Sequence, residues 1–474
     1  MNHTKLVQEK LNDVQLRNNL DMAMHTLQTN RQNLIAKKYT SWEELRERAK
    51  EIKNSCLANL EQRLLDFEKH ATENGMKVHW AKDGQEANEI VLQIVRENGI
   101  STVLKGKSMA TEEIHLNAFL DEKGIKAVET DLGELIIQLI DEPPVHIVVP
   151  AIHKNRYEVG EIFHKYLGAA QESEPEKLNA IARKYLRDEF KKLKIGISGV
   201  NFAIADEGAI WLIENEGNGR MCTTFPDIHI AVCGIEKVVG SFDDAVVLDT
   251  LLVPSATGQS ITCYNNIITG PRKDDEFDGP KEVHVILLDN NRTKMLQNKE
   301  YYEALRCIRC GACMNYCPVY DKVGGHTYQA VYPGPIGEVV SPQIFGMEKH
   351  SDILSLCSLC GRCSEVCPVK IPLADIIRKL RRDKVGEGEN PAPGSAGLQH
   401  SGIERMSFAM FSFMATHFRL FHWGVNCAAT FSRVIQKSAW MIPVLKLWCK
   451  HRKPPKISGH LHREMKKIEG VHYE

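Results

Sequence analysis

Apolar and polar positions divide the chain into stretches of different period. In residues 1–75 the spacing is helical: Leu45, Ala49, Ile52, Cys56 and Leu60 recur on one face, with charges opposite. Thr40 and Ser41 stand ahead of Glu43 and Glu44, a capping-box pattern that predicts a helix starting near residue 41. This region is expected to be an arm packed on the next domain or on another subunit.

Residues 76–294 alternate short β-rich runs with helical ones. Strands are predicted at Met76–Trp80, Thr102–Lys105, Lys126–Glu129 and His146–Val149. Helices fill the gaps at Gln85–Glu97, Thr111–Glu122, Leu132–Ile140 and Arg156–Tyr166. A charged helix follows at about Glu176–Leu193, then strands at Asn201–Ala205, Ala209–Glu214, His229–Gly234 and Val283–Leu288. The β-α-β-α rhythm predicts an α/β domain with a parallel sheet covered by helices. Residues 295–385 lose this rhythm, and Gly386–Gly397 is a Gly/Pro-rich linker. Beyond it, residues 398–474 form a tail expected to be helical and rich in aromatics, among them Phe408, Phe411, Phe413, Phe418, Phe421, Trp423, Phe431, Trp440 and Trp448.

Composition changes the picture in two places. The formal net charge is −1, yet residues 395–474 carry 12 basic against 4 acidic side chains, which leaves 48 against 57 in the rest. A balance so near zero argues against a nucleic-acid-coating protein. The 14 cysteines are also uneven: eight fall between Cys307 and Cys367. A chain of 474 residues can bury its own core without disulfides. With no apolar signal segment at the N-terminus and no long uncharged apolar run, the expected compartment is the reducing cytoplasm.

The eight cysteines form two copies of one pattern, C-x2-C-x2-C-x3-C-P, offset by 50 residues: Cys307, Cys310, Cys313, Cys317-Pro318 and Cys357, Cys360, Cys363, Cys367-Pro368. Three closely spaced thiolates can hold three irons of one cubane, and the fourth iron takes a remote cysteine. In two-cluster ferredoxins the last cysteine of each run serves the other cluster. Two [4Fe–4S] clusters are therefore expected, one on Cys307, Cys310, Cys313 and Cys367, the other on Cys357, Cys360, Cys363 and Cys317. Zinc ribbons use paired rather than triple runs. The long insert and the helical Leu373–Arg382 resemble the α-helical ferredoxin module of succinate dehydrogenase iron–sulfur subunits and heterodisulfide reductases. His326, Tyr328 and Tyr332 in the Gly324–Gly337 bridge either pack near sulfide or dock a partner.

Two stretches of the α/β domain are candidate ligand sites. Lys105, Lys107, Ser108, Glu112 and Glu113 lie at a strand-to-helix turn, where a helix N-terminus can bind an anion. Glu214, Asn215, Glu216 and Arg220 surround glycines at a strand end, and Asp131, Glu134 and His153 sit near other predicted strand ends, where open α/β sheets bind ligands. There is no GxGxxG and no GxxxxGK[ST], so no flavin, nicotinamide or nucleotide site is expected. A hydroxy-acid oxidation yields two electrons and a cubane takes one, so this chain is expected to relay electrons rather than oxidise a substrate alone.

The stretches KGKSMATEEIHLN (105–117), ETDLGELIIQL (129–139), HIVVPAIHKNR (146–156), GVNFAIADEGAIWLIENEGNGR (199–220) and HIAVCGIEKVV (229–239) resemble the lactate-utilisation protein B family. The order of LUD domain, two cysteine runs and basic tail extends the resemblance over nearly the whole chain. It implies a NagB/RpiA/CoA-transferase-like LUD fold and an iron–sulfur subunit of a bacterial L-lactate-oxidising system. The implied partners are a cysteine-rich subunit and a LUD-only subunit. Glu214-Asn215-Glu216-Gly217 is only loosely similar to the Glu-Asn-Gly motif of some CoA transferases, so no nucleophile is carried over. Three readings stay open: an electron-transfer subunit, an organic-acid-binding enzyme, and an iron–sulfur scaffold or redox sensor. Residues 398–456 have three matching roles: packing on the chain's own domains, docking on a partner, or resting at the inner face of the membrane.

Overall fold

The computed structural model describes residues 3–386, 388, 391–392, 394–395, 402–438 and 467–468. Residues 1–398 make one compact unit and residues 399–474 a second.

Ten strands lie in the first unit: β1 (Lys77–Ala81), β2 (Thr102–Lys105), β3 (Lys126–Glu129), β4 (Ile195–Gly199), β5 (Phe202–Ile204), β6 (Ala209–Glu214), β7 (Ile228–Gly234), β8 (Val238–Val239), β9 (Tyr264–Ile268) and β10 (Glu282–Leu288). Six form a sheet in the order β1-β10-β7-β4-β2-β3, parallel at every pairing. The other four form a mainly antiparallel sheet, β8-β5-β6-β9. Alternation along the strands builds two cores on the large sheet. Ile228, Ile230 and Val232 of β7 meet Val91 and Val95 on one face, while Ala231 and Cys233 meet Phe67 and Ala71 on the other. Parallel strands need both faces covered, so β7 is buried along its whole length. Side-chain caps start the covering helices: Asp83 accepts from Glu86 N, and Asn155 and Glu158 form a reciprocal capping box.

The expected strands and helices of this region are present except at two places. His146–Val149 is not a strand. Prolines 143, 144 and 150 bracket it, and the His146 ring takes over its amides: Nδ1 accepts from Val148 N at 3.0 Å and Val149 N at 3.2 Å. The helix expected over Thr111–Glu122 breaks into Met109–Glu113 and Leu116–Glu122, because His115 between them is left-handed at φ 52°. The helix Trp42–Ala58 starts where expected, but Ser41 makes no side-chain cap. Glu43 is drawn to Arg46 instead, at 2.5 Å. Three strands, β4, β8 and β9, fall outside the predicted ones. KIGISG is short and glycine-rich, and YNNII is a largely exposed edge strand without apolar alternation.

The N-terminal helices pack on the cysteine region. The helix Val14–Lys38 sends Arg31 to the Val366 carbonyl at 2.9 Å and Gln28 to the Asn315 carbonyl at 2.7 Å. Trp42–Ala58 sends Arg46 to the carbonyls of Cys367 (2.8 Å) and Glu365 (2.7 Å). One apolar cluster then runs from Leu20, Met24 and Leu57 through Leu248 and Leu252 to Cys313, Ile336 and Ile376. In the second unit, Gly402–Thr416 and Phe418–Ser438 are helices, and Phe408, Phe411, Phe413, Phe418 and Trp423 are exposed on them. Trp440, Trp448 and Cys449 lie outside the described residues. Among the described residues no helix is long and apolar enough to cross a membrane.

His146 couples the α/β domain to the cysteine region, with Nε2 3.0 Å from Asn315 Oδ1. Burial, offset in part by Asn315, lowers its pKa to about 4. Protonating Nδ1 would break both amide bonds. An unfolded histidine takes a proton near pH 6.5, so His146's contribution is present above that pH and is lost as pH falls towards 4, at no more than about 1.4 kcal/mol per pH unit. His146→Gln should therefore unfold at a lower temperature than the parent at pH 7.5. The gap should narrow between pH 6.5 and 4 in parallel thermal melts.

Candidate iron–sulfur centre and adjoining cavity

The two cysteine runs share one backbone design. Each opens from a 3₁₀ turn, Tyr302–Arg306 or Ser351–Leu356, into an extended cysteine. Arg309 and Leu359 are both left-handed (φ 61° and 53°), and Gly311 and Gly361 follow with φ 77° and 79°. A glycine suits the second of these positions because a Cβ is strained there. The alternation turns backbone amides inward: Arg309 N lies 3.4 Å from Cys307 Sγ and Leu359 N 3.3 Å from Cys357 Sγ. After each proline the chain does the same again, with Tyr320 N 3.4 Å from Cys317 Sγ and Ile371 N 3.3 Å from Cys367 Sγ. Sulfur-directed N–H groups favour thiolate over thiol.

The runs interleave. Cys307, Cys310, Cys313 and Cys367 line one small cavity, closed by Ile147, Ile336 and Ile371. Cys317 and Cys363 instead feel the charge of Cys357. Cys313 has thiols of both groups around it. No cysteine among the described residues is in a disulfide. Burial pushes the thiols of Cys310, Cys317 and Cys363 up to about 12, and those of Cys357 and Cys367 up to about 11, against the N–H groups. Iron must therefore displace a proton at each of these sulfurs on binding. Four soft ligands around a closed space, with amides aimed at the sulfurs, fit a cubane.

The surroundings of the two groups differ. Near Cys307 stand Lys53, which donates to the Glu236 carbonyl at 2.5 Å, and Arg309. Near Cys317 and Cys357 stands Glu338, fully buried, with neither carboxylate oxygen hydrogen-bonded among the described residues. Burial holds Glu338 well above the usual carboxylate range, against the pull of Arg381. Arg381 grips the carbonyls of Leu354 (2.6 Å) and Cys357 (2.5 Å). Tyr328 is buried beside Cys317, whereas Tyr332 donates to Glu113 at 2.6 Å beneath the Arg309 guanidinium.

A chain of buried charge ties the first run to the sheet. Arg292 pairs with Glu113 at 2.8 Å and, on its other edge, with Glu236, and Glu236 reaches Arg309 at 3.4 Å. Beyond it opens a cavity of ≈ 320 Å3 at the carboxyl ends of β2, β4, β6 and β7. Open parallel sheets bind ligands at such ends. Lys107, Ser108, Asp131, Glu214, Asn215 and Glu216 line it, together with Lys237, Arg309 and Cys310. Burial, aided by the like charge of Arg309, lowers Lys237 to about 8.

Other residues singled out in the sequence lie elsewhere. Lys105 is enclosed, paired with Glu112 and Glu129 at 2.7 Å each. Glu112, Glu129 and Glu134 border a separate, more open cleft, where burial and then Glu129 raise Glu134 to about 8. Glu113 belongs to the charge chain, and Arg220 is an exposed residue outside the cavity wall. Glu214 closes its own loop by accepting from Gly219 N (2.7 Å) and Arg220 N (2.5 Å). His153 meets Glu142 at 2.6 Å beside His326, and the three offer ligand atoms within 4.8 Å of one another. Lys154 already pairs with that Glu142 at 2.7 Å, so the group works as a clamp between the 141–154 segment and the bridge. Sequence reading missed Glu236, Lys237, Arg292, Arg309 and Glu338. The available signal was charge set inside apolar runs, as in VCGIEKVV.

Three family descriptions match: "LUD domain" over residues 64–288, "4Fe-4S dicluster domain" over 303–371, and "Lactate utilisation protein B, C-terminal" over 379–471. "Lactate utilization protein B" of Macrococcus caseolyticus is 42% identical over 82% of this chain and 80% of its own. The chain belongs to the lactate utilisation protein B family. The Bacillus subtilis protein of that name is 41% identical over 79% of each chain. "Uncharacterized electron transport protein YkgF" of Escherichia coli is 40% identical over 89% of this chain and 86% of its own. This family member is an iron–sulfur protein of lactate utilisation with a [4Fe–4S] dicluster domain.

The interleaving gives a direct test. Cys317→Ser should damage the cluster held by Cys357, Cys360 and Cys363, and spare the one it adjoins in sequence. Electron paramagnetic resonance of the reduced variant, with iron counting, distinguishes the two.

Proposed function

We propose that this chain is the electron-transfer subunit of a multi-subunit system that oxidises L-lactate to pyruvate, passing electrons through two [4Fe–4S] clusters towards a respiratory acceptor. Cys307, Cys310, Cys313 and Cys367 would hold one cluster, and Cys357, Cys360, Cys363 and Cys317 the other. Each cubane, when bound, accepts and donates one electron. Lactate oxidation releases two, so a pair of cubanes in one chain matches the electron count.

The observation that carries this reading is the exposure of Cys360 in one group against the burial of its counterpart Cys310 in the other. Cys310, Cys313 and Cys367 are buried, and Cys310 borders the α/β cavity. Cys360 is exposed, and Leu359 beside it is 40% exposed. One end of the pair thus borders the LUD-domain cavity, and the exposed Cys360 loop supports electron exchange with a partner at the other. Arg46 and Arg381 hold the carbonyls of Cys367 and Cys357, which keeps both loops rigid while charge changes. A relay gains from such fixed ligands because little reorganisation accompanies each transfer.

The partners in this reading are a cysteine-rich subunit and a LUD-only subunit. The exposed Phe408, Phe411, Phe413 and Trp423 of the tail helices support a docking role for residues 398–456. A site at the inner face of the membrane would suit a respiratory acceptor.

Anaerobic visible spectroscopy tests the reading. L-Lactate added to the cluster-loaded chain alone should leave the broad cluster absorbance unchanged. With both partner subunits present, lactate should bleach it. Bleaching of the isolated chain would make the α/β domain the oxidising enzyme instead.

A further inference from the structure

We propose that the ≈ 320 Å3 cavity beside the first cysteine run binds a small monocarboxylate of the 2-hydroxy- or 2-oxo-acid class, its carboxylate held between Lys237 and Arg309. The choice of acid class rests on the lactate-utilisation reading above, while the anion site rests on the residues themselves.

Four cations reach this cavity from separate segments: Lys107 after β2, Lys237 after β7, Arg292 after β10 and Arg309 from the first cysteine run, and Arg292 is already paired with Glu113 and Glu236. Lys107 donates to the Val148 carbonyl at 2.6 Å. Lys237 has no hydrogen-bond or ion-pair partner among the described residues, although it stands in a segment that is otherwise buried. Arg309 is only 10% exposed, its Nη2 lies 3.4 Å from Glu236, and its Nη1 is buried without a partner. A buried guanidinium nitrogen left unpaired is costly, and a carboxylate is a group that a guanidinium edge and an ammonium both recognise.

Neutral donors complete the site. The Ser108 hydroxyl oxygen accepts from Thr111 N at 3.2 Å, but its own hydrogen has no acceptor among the described residues. Asn201 spends its carbonyl on Ile213 N at 3.0 Å and leaves its NH2 in the cavity wall. These donors suit the 2-oxygen of a hydroxy or oxo acid. Glu216 lies near both Asp131 and Lys107, and Glu214 and Glu236 line the same cavity, so its wall already holds four carboxyl groups, which disfavours a second carboxylate on the ligand. A volume of this size accommodates a short acid with ordered water. Arg309 lies between Cys307 and Cys310, so an anion on its guanidinium also alters the field at the first cluster.

The competing account is that Lys237 and Arg309 only balance the charge of that cluster. Calorimetry on the full, cluster-loaded chain under anaerobic conditions separates the two, using L-lactate, pyruvate, acetate and inorganic phosphate as probes. The proposal expects saturable binding of lactate and pyruvate, weaker binding of acetate and phosphate, and a shift in the resonance spectrum of one reduced cluster when either acid is added. Lys237→Met should weaken binding at least tenfold with iron and sulfide content unchanged, Lys237→Arg should restore most of it, and the remote Lys177→Met should leave it unaltered. Absence of binding by the parent chain, equal binding by Lys237→Met, or phosphate binding as tight as the acids would overturn the proposal. If the acids fail to bind while lactate plus partners still bleaches the clusters, the site falls and the relay stands. If they bind but partners never bring about bleaching, the relay falls and the site stands.

Discussion

The buried charge chain Glu113–Arg292–Glu236–Arg309 is the interaction on which the rest of the arrangement depends. Glu113 closes the short helix after β2, Glu236 follows β7, Arg292 follows β10, and Arg309 sits inside the first cysteine run. Four segments far apart in sequence are thus fixed at one point. Losing Arg292 would leave Glu113 buried without a counter-charge, a cost of about 3–5 kcal/mol, and Glu236 with Arg309 alone. The same chain aligns the carboxyl edge of the parallel sheet with the sulfur cage, so the cavity and the first cysteine run share a wall.

Around this joint the protein uses arginine for two distinct purposes. Arg31, Arg46 and Arg381 donate to backbone carbonyls of the cysteine loops and so fix their shape. Arg309 instead keeps one nitrogen unspent at the cavity edge. The second cysteine group has the opposite neighbourhood, with the buried Glu338 carboxyl in place of clustered cations. The two clusters consequently occupy unlike electrostatic settings, which is how a protein sets unlike potentials on chemically identical centres.

Much of this was legible in the sequence. The paired runs Cys307–Cys317 and Cys357–Cys367 announced iron–sulfur chemistry by spacing alone, and the β-α rhythm announced the parallel sheet. What stayed hidden has physical causes. His146–Val149 has strand composition, but its flanking prolines and the His146 ring take it out of any ladder. β4 is too short and glycine-rich to show a period, since Gly196 packs directly on the Cys222 carbonyl where a side chain would not fit. Lys105 and Lys107 stand two residues apart and looked equivalent, yet one is sealed between two glutamates and the other reaches the cavity. The partnership of Glu236 with Arg292 and Arg309 spans more than fifty residues, and no local pattern encodes it.

The central claim is that one chain carries two neighbouring clusters built from interleaved cysteines. Electron paramagnetic resonance of the fully reduced, anaerobically prepared protein tests it most directly. The account predicts about eight irons per chain and a spectrum broadened by magnetic interaction between two reduced cubanes. About four irons per chain, or two sharp spectra that do not interact, would contradict it.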